Sequence, residues 1–203
     1  MTAFAPVTNT SDSSTVTASV GSLTGMVASK MYLFVSSTNC WIKQGTTQLV
    51  TCTTNANMTD GDKLIIAISG LDAVTFEYDK AANGVTAGNV SWAAGASTAA
   101  QVAATLVTAI NGSAIASYLT VTDNTDGTVT ITVKDRHATF TEQVAHVAFT
   151  VAATHPPASA ADGSMFVPAG VVITIDGNRG PQLGVIRNSA DGNASLTRAQ
   201  KVA

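Results

Sequence analysis

The chain has 203 residues, enough for one large domain or two small ones, and carries a formal net charge of −3 with only 11% charged residues. Its ten Lys and Arg are scattered, the nearest approach to a group being Arg187, Arg198 and Lys201, which excludes a phosphate-tracking nucleic-acid surface. No apolar run reaches the roughly eighteen residues that a membrane-crossing helix needs, and residues 1–25 lack the basic and apolar regions of a secretory leader, so none is expected. Ala, Thr, Ser, Gly and Val dominate instead, a makeup suited to pleated surfaces and close packing.

Residues 1–28 are rich in Ser and Thr. Val16, Ala18 and Val20 alternate with polar residues as an edge strand would, and the first dozen residues read as a flexible arm, either reaching a neighbouring subunit or fraying. Met31 to Val35 and Cys40 to Lys43 are predicted strands around a turn at Ser36–Asn39. Gly45-Thr46-Thr47 is read as a further turn before a short β run from Gln48 to Thr53. The polar stretch Asn55 to Asp62 marks the boundary of an insert.

Within the insert, Lys63 to Ser69 and Val74 to Tyr78 form a predicted hairpin, with Val74, Phe76 and Tyr78 on one face and Thr75 and Glu77 on the other. Asn89 to Trp92 is one further candidate strand. The one helix begins after Thr98, an N-cap with Gln101 at capping-box spacing. Val102, Leu106 and Ile110 form its apolar stripe, flanked by Ala103 and Val107, and Asn111-Gly112 ends it with residues that tolerate the left-handed conformation. Tyr118 to Thr122 and Thr128 to Lys134 alternate cleanly around an Asp123–Gly127 turn, with Val129, Ile131 and Val133 on one face. Val144 to Val151 closes the insert, which therefore reads as a small sheet with one helix across it.

His155-Pro156-Pro157 is a stiff exit. Met165 to Pro168, Val171 to Ile175, Leu183 to Arg187 and Ser195 to Arg198 are short strands with frequent turn signals between them. That spacing argues for a β-sandwich or barrel. The outer domain is thus residues 1–54 and 155–203, and the inserted α+β domain residues 55–154.

Chemistry is sparse. His137, His146 and His155 recur nine apart without a carboxylate or thiol at metal-ligand spacing, so no metal site is expected. The Asp/Asn-Gly turns at 60–62, 123–127 and 191–193 do not fit a calcium loop and are explained by turn chemistry. No hydrolase elbow, phosphate loop or dinucleotide fingerprint occurs. Glu77 and Glu142 are the only glutamates and are expected on solvent faces. Cys40 and Cys52 are read as two buried thiols, with a disulfide across a hairpin as the alternative. Trp41 and Trp92 are assigned to the core rather than to a carbohydrate platform. The sequons at Asn9, Asn57, Asn89, Asn111 and Asn193 occur as often as chance allows in so Asn- and Thr-rich a chain.

Tyr32 to Gly45 has the form YxFVxxTxCWIxxG, and Gly163 to Gly170 the form GSMFxPAG, followed by Gln182 to Thr197. In these features, over about eighty residues, the outer halves resemble a small β module of tailed-bacteriophage virion proteins. The insert, through Asp60 to Ile68, Val74 to Asp79 and Thr98 to Ile110, is more weakly similar to another phage structural element. The resemblance implies a jelly-roll-like outer domain in a head decoration or cement protein, carrying an inserted lobe. It implies no catalysis and no cofactor. It further implies a virion location on the capsid surface after assembly in the host cytoplasm, and as partners the major capsid protein and further copies of the chain, most simply as a trimer. A head–tail adaptor, a collar or tail component and a receptor- or glycan-binding module are the competing readings. The expected contacts are the arm at 1–28 and the loops at 163–181, through Phe4, Val16, Val20, Met165, Phe166, Pro168 and Arg179.

Overall fold

The computed structural model describes residues 4–16, 21–24, 26–94, 97–134, 136–144, 149–154 and 164–201. The chain divides into two compact units. The first comprises Met1–Thr46, Asp135–His137 and His155–Ala203, and the second Thr47–Lys134 and Ala138–Thr154. The boundary falls inside a single strand, so residues 47–54, placed by sequence with the outer domain, lie in the second unit.

The first unit contains β1 (Phe4–Val16), β2 (Gly21–Leu23), β3 (Met31–Ser36) and the first half of β4 (Cys40–Cys52). It continues with β12 (Met165–Val167), β13 (Ile173–Asp176), β14 (Gln182–Arg187) and β15 (Gly192–Lys201). One sheet runs β1-β15-β3-β13. In the other, β14 lies between β2 and β4, and β12 pairs with β4 on its far side. Counted along this unit, the strands stand first-eighth-third-sixth in one sheet and second-seventh-fourth-fifth in the other. This is the interleaving of a double Greek key, a jelly roll. Each of these strands sends at least one side chain into a shared core, among them Val16, Leu23, Phe34, Ile42, Val167, Ile175, Val185 and Leu196. The unit is a sandwich because its strands alternate, burying one face and wetting the other.

The segment expected to be a flexible arm is strand β1, paired antiparallel with β15 from Phe4↔Lys201 to Val16↔Gly192. Its polar composition suits an edge position, where one row of backbone groups faces water. Pro6, which lacks an N–H, is tolerated there. Gly45-Thr46-Thr47 is not a turn but the middle of β4. The threonines favour extended backbone, and Gly45 lets the 176–180 loop lie directly over the strand. A Cβ on Gly180 would stand 2.5 Å from the Gly45 carbonyl carbon, and Gly180 itself has φ of +131°. Gln44 Nε2 fastens that loop by donating to the carbonyls of Asp176 (2.7 Å) and Gly180 (3.0 Å).

The second unit contains the later half of β4, then β5 (Lys63–Ile68), β6 (Val74–Asp79), β7 (Val90–Ala93) and α1 (Ala99–Asn111). It ends with β8 (Leu119–Asp123), β9 (Thr128–Lys134), β10 (Ala138–Gln143) and β11 (Phe149–Thr154). One sheet runs β10-β5-β6-β7. The other places β9 between β8 and β4, with β11 pairing Thr47–Cys52 of β4. Two sheets and a helix therefore share one core, where a single small sheet was expected. Strand β10 has no sequence forecast because its burial alternates only weakly. Thr98 caps α1 in a full capping box with Gln101, and Val102, Ala103, Leu106, Ala109 and Ile110 face inward. The helix ends at Gly112 in the right-handed region rather than the left-handed one expected, with Ser113 Oγ capping the Ile110 carbonyl at 2.7 Å.

Candidate interaction surface

The jelly roll exposes its chemistry along β12, β4 and β14. Register sets Phe166 opposite Trp41 and Ile186 opposite Trp41, so these three side chains share one face of the sheet. Cys40, Ile42, Val167 and Val185 occupy the alternate positions and are buried. Trp41 is therefore on the outer face and half-buried, a correction to its assignment as core. The alternation Cys40-Trp41-Ile42 already contained that signal. Its ring lies 5.1 Å from that of Phe166, tilted by 56°, and its indole Nε1 donates to Asn188 Oδ1 at 3.1 Å.

Beside this ring pair runs an apolar rim. Met165 (48% exposed), Phe166 (40%), Val171 (41%) and Val172 (59%) stand out among the described residues. Among the described residues β12 pairs with β4 alone, and β13 is the last strand of its sheet. The turn between them, closed by Val171 N–H to the Pro168 carbonyl (3.3 Å), links two sheet edges. Three turns at this end are tied together. Gly170 N–H donates to Ser36 O (2.8 Å), Asn188 N–H to Asn39 O (2.9 Å) and Ser37 N–H to Asn193 O (2.8 Å). Thr38 Oγ1 donates to Ala190 O (2.9 Å), and Ala169 N–H to Asn39 Oδ1 (2.8 Å).

Of the residues singled out from sequence, the structure brings Met165, Phe166 and Pro168 together on this exposed rim. Arg179 is exposed on the short 3-10 turn Gly177–Arg179, whose start is capped by Asp176. Val16 is fully buried in the jelly-roll core and offers no surface. Phe4 belongs to β1, opposite Lys201. Val20 lies outside the described residues, as do Ala18, His146 and His155-Pro156-Pro157. Val171 and Val172 precede β13 instead of forming it, so their exposure is not legible from strand periodicity.

In the second unit, Trp92 is fully buried, with edge-on ring contacts to Tyr78 (5.1 Å) and Phe149 (5.5 Å). Its Nε1 donates to Val102 O (3.2 Å) and Thr105 Oγ1 (3.1 Å). Glu77, expected in solvent, is buried beneath the loop joining the parallel strands β6 and β7. Thr86 donates to both of its oxygens, from N (3.3 Å) and Oγ1 (3.2 Å). Asn89 Nδ2 donates to Oε2, and Lys63 Nζ stands 3.4 Å from it. Burial pushes this carboxyl up, but the donors from Asn89, Thr86 and Lys63 outweigh it and hold it below the usual range. The carboxylate thus latches the crossover loop.

Cys40 and Cys52 are free, buried thiols at the two ends of β4 rather than partners across a hairpin. Burial, helped by the Asp123 carboxylate, pushes Cys52 up to about 12. Burial also raises Cys40 against an opposing bond with Ser36. Neither is a thiolate near neutral pH. Among the described residues no cluster of three His, Cys, Asp or Glu could hold a metal ion. His137 contacts the Gly177 carbonyl through Nε2.

No protein-family model matches the chain, and no curated protein matches it. Among solved structures it is similar to the D2-D3 domains of the flagellar cap protein FliD from Escherichia coli, at 14% identity and a TM-score of 0.34, over 94% of this chain and 99% of that one. It is also similar to the D1-D2-D3 domains of the same protein, at 15% identity and a TM-score of 0.31, over 94% of this chain and 65% of that one.

Proposed function

We propose that this chain is a structural protein of a tailed-phage virion, a head decoration or cement protein that binds the major capsid protein and bridges neighbouring subunits without catalysis. The resemblance of Tyr32 to Gly45 and Gly163 to Gly170 to such proteins supports this reading, since both motifs fall on the jelly-roll strands β3, β4 and β12. The observation that carries it is the apolar rim of Met165, Val171 and Val172 between two sheet edges. Exposed apolar side chains beside a sheet edge suit strand addition or edge burial against a neighbour. Copies related by a symmetry axis, most simply three, would each present the same rim.

The test is binding to purified expanded capsids. A decoration protein saturates at on the order of hundreds of copies per particle, as a lattice of equivalent sites requires. The double variant Val171→Asp, Val172→Asp is expected to weaken binding by about tenfold or more while leaving the fold intact, because both side chains are in water in the free protein. Saturation at a few copies on the tail would make it an adaptor or collar component. No binding to any particle would end the virion reading.

A further inference from the structure

We infer that the Trp41–Phe166 ring pair is a shallow carbohydrate platform for a neutral hexopyranose chain, a binding activity that shares Phe166 with the rim but is distinct from attachment through Met165, Val171 and Val172. Two aromatic rings from positions 125 residues apart in sequence (166 − 41) meet on the solvent face of β4 and β12, with centroids 5.1 Å apart. The indole is oriented by its N–H, which donates to Asn188 Oδ1 at 3.1 Å. Asn188 is itself fixed by its backbone N–H to Asn39 O, and Asn39 by Ala169 N–H. The rings therefore sit on tied turns, and little side-chain freedom is lost on binding.

Both amides turn their oxygens to the protein, through the Trp41 indole at Asn188 and the Ala169 N–H at Asn39. Their NH2 groups have no partner among the described residues, which leaves donors flanking an apolar face. A pyranose ring has the complementary form, with C–H groups on its flat face and hydroxyls around its edge. Arg187 is held by Asp191 at 2.7 Å and so is already paired, and a neutral sugar fits better than an acidic one. Two partly covered rings present on the order of 100–200 Å². That is far below the roughly 800 Å² per partner of a stable protein interface but enough for one or two sugar rings.

The experiment titrates the intact chain with cellohexaose, maltohexaose and mannohexaose. It follows the two indole N–H resonances by NMR and repeats the titrations by calorimetry on Phe166→Ala and Trp41→Ala. The expected result is a saturable shift of the Trp41 resonance with at least one sugar, an unmoved Trp92 resonance, and a loss of affinity of about tenfold or more in a ring variant. Phe166→Ala is the variant that spares the fold, since Phe166 lies outside the core, and the methyl resonances of the buried jelly-roll residues Leu183 and Val185 report folding in both variants. No saturable Trp41 shift with any of the three sugars, or undiminished binding by both ring variants, overturns the proposal.

Discussion

Glu77 shows how one buried side chain organises its surroundings. Four donor contacts from Thr86, Asn89 and Lys63 meet its carboxylate, and they hold its pKa below the ordinary value. A carboxyl depressed in the folded state contributes stability that is complete above the unfolded value of about 4.3 and is lost as pH falls through the folded one. Urea unfolding of the second unit, followed by Trp92 fluorescence, is therefore expected to show declining stability below about pH 4. Glu77→Gln is expected to cost about 1–3 kcal/mol at pH 7 and to flatten that acid decline. An unchanged acid slope in the variant would assign the decline to another group. Glu77 alternates with Phe76 and Tyr78, and periodicity put it on the far face correctly. What periodicity could not show is that a loop from residues 80–89 returns over that face. The two thiols give a companion test. Both are buried with raised pKa values, so a thiol reagent at pH 8 is expected to label neither before the chain is unfolded.

Elements followed the sequence where local chemistry decides them. The Thr98–Gln101 box fixed the start of α1, and Thr98→Ala is expected to cost about 1 kcal/mol in thermal or urea unfolding. The β8–β9 hairpin closes with Leu119↔Val133 and Asp123↔Val129, as the alternation of Val129, Ile131 and Val133 requires. Turn grammar failed where tertiary packing overrides it. Gly45 reads as a turn residue, yet it serves as a flat stretch of strand against which Gly180 rests. Gly180→Ala is accordingly expected to destabilise the jelly roll by more than about 1 kcal/mol in urea unfolding, since the new Cβ meets the Gly45 backbone and φ is positive. The polar strand β1 was read as an arm for a related reason. An edge strand needs few apolar residues of its own, and its partner β15 lies nearly the whole chain away.

At the scale of the molecule, the division into an outer β module and an interrupting segment was visible in the recurrence of short strands on both sides of a helix-bearing stretch. The jelly roll was expected from the motif resemblance alone, because pairing order depends on contacts between distant strands that periodicity does not report. The surface was the least legible part. Trp41 and Phe166 lie in separate motifs, and only the pairing of β12 with β4 brings them together. The core of the second unit runs from Val50 to Phe149 with every buried member inside that span. Residues 47–154 expressed alone are therefore expected to fold with Trp92 in its protected environment, read as a blue-shifted emission that reddens in urea. The join has its own consequence. β4 and β12 are neighbours paired in register at Cys40–Ile42, so in the jelly roll the interruption falls where two adjoining strands would otherwise be linked by a short hairpin. Such a socket accepts a cassette of almost any length at small entropic cost, so the lobe can be exchanged for another without re-threading the eight-stranded chassis.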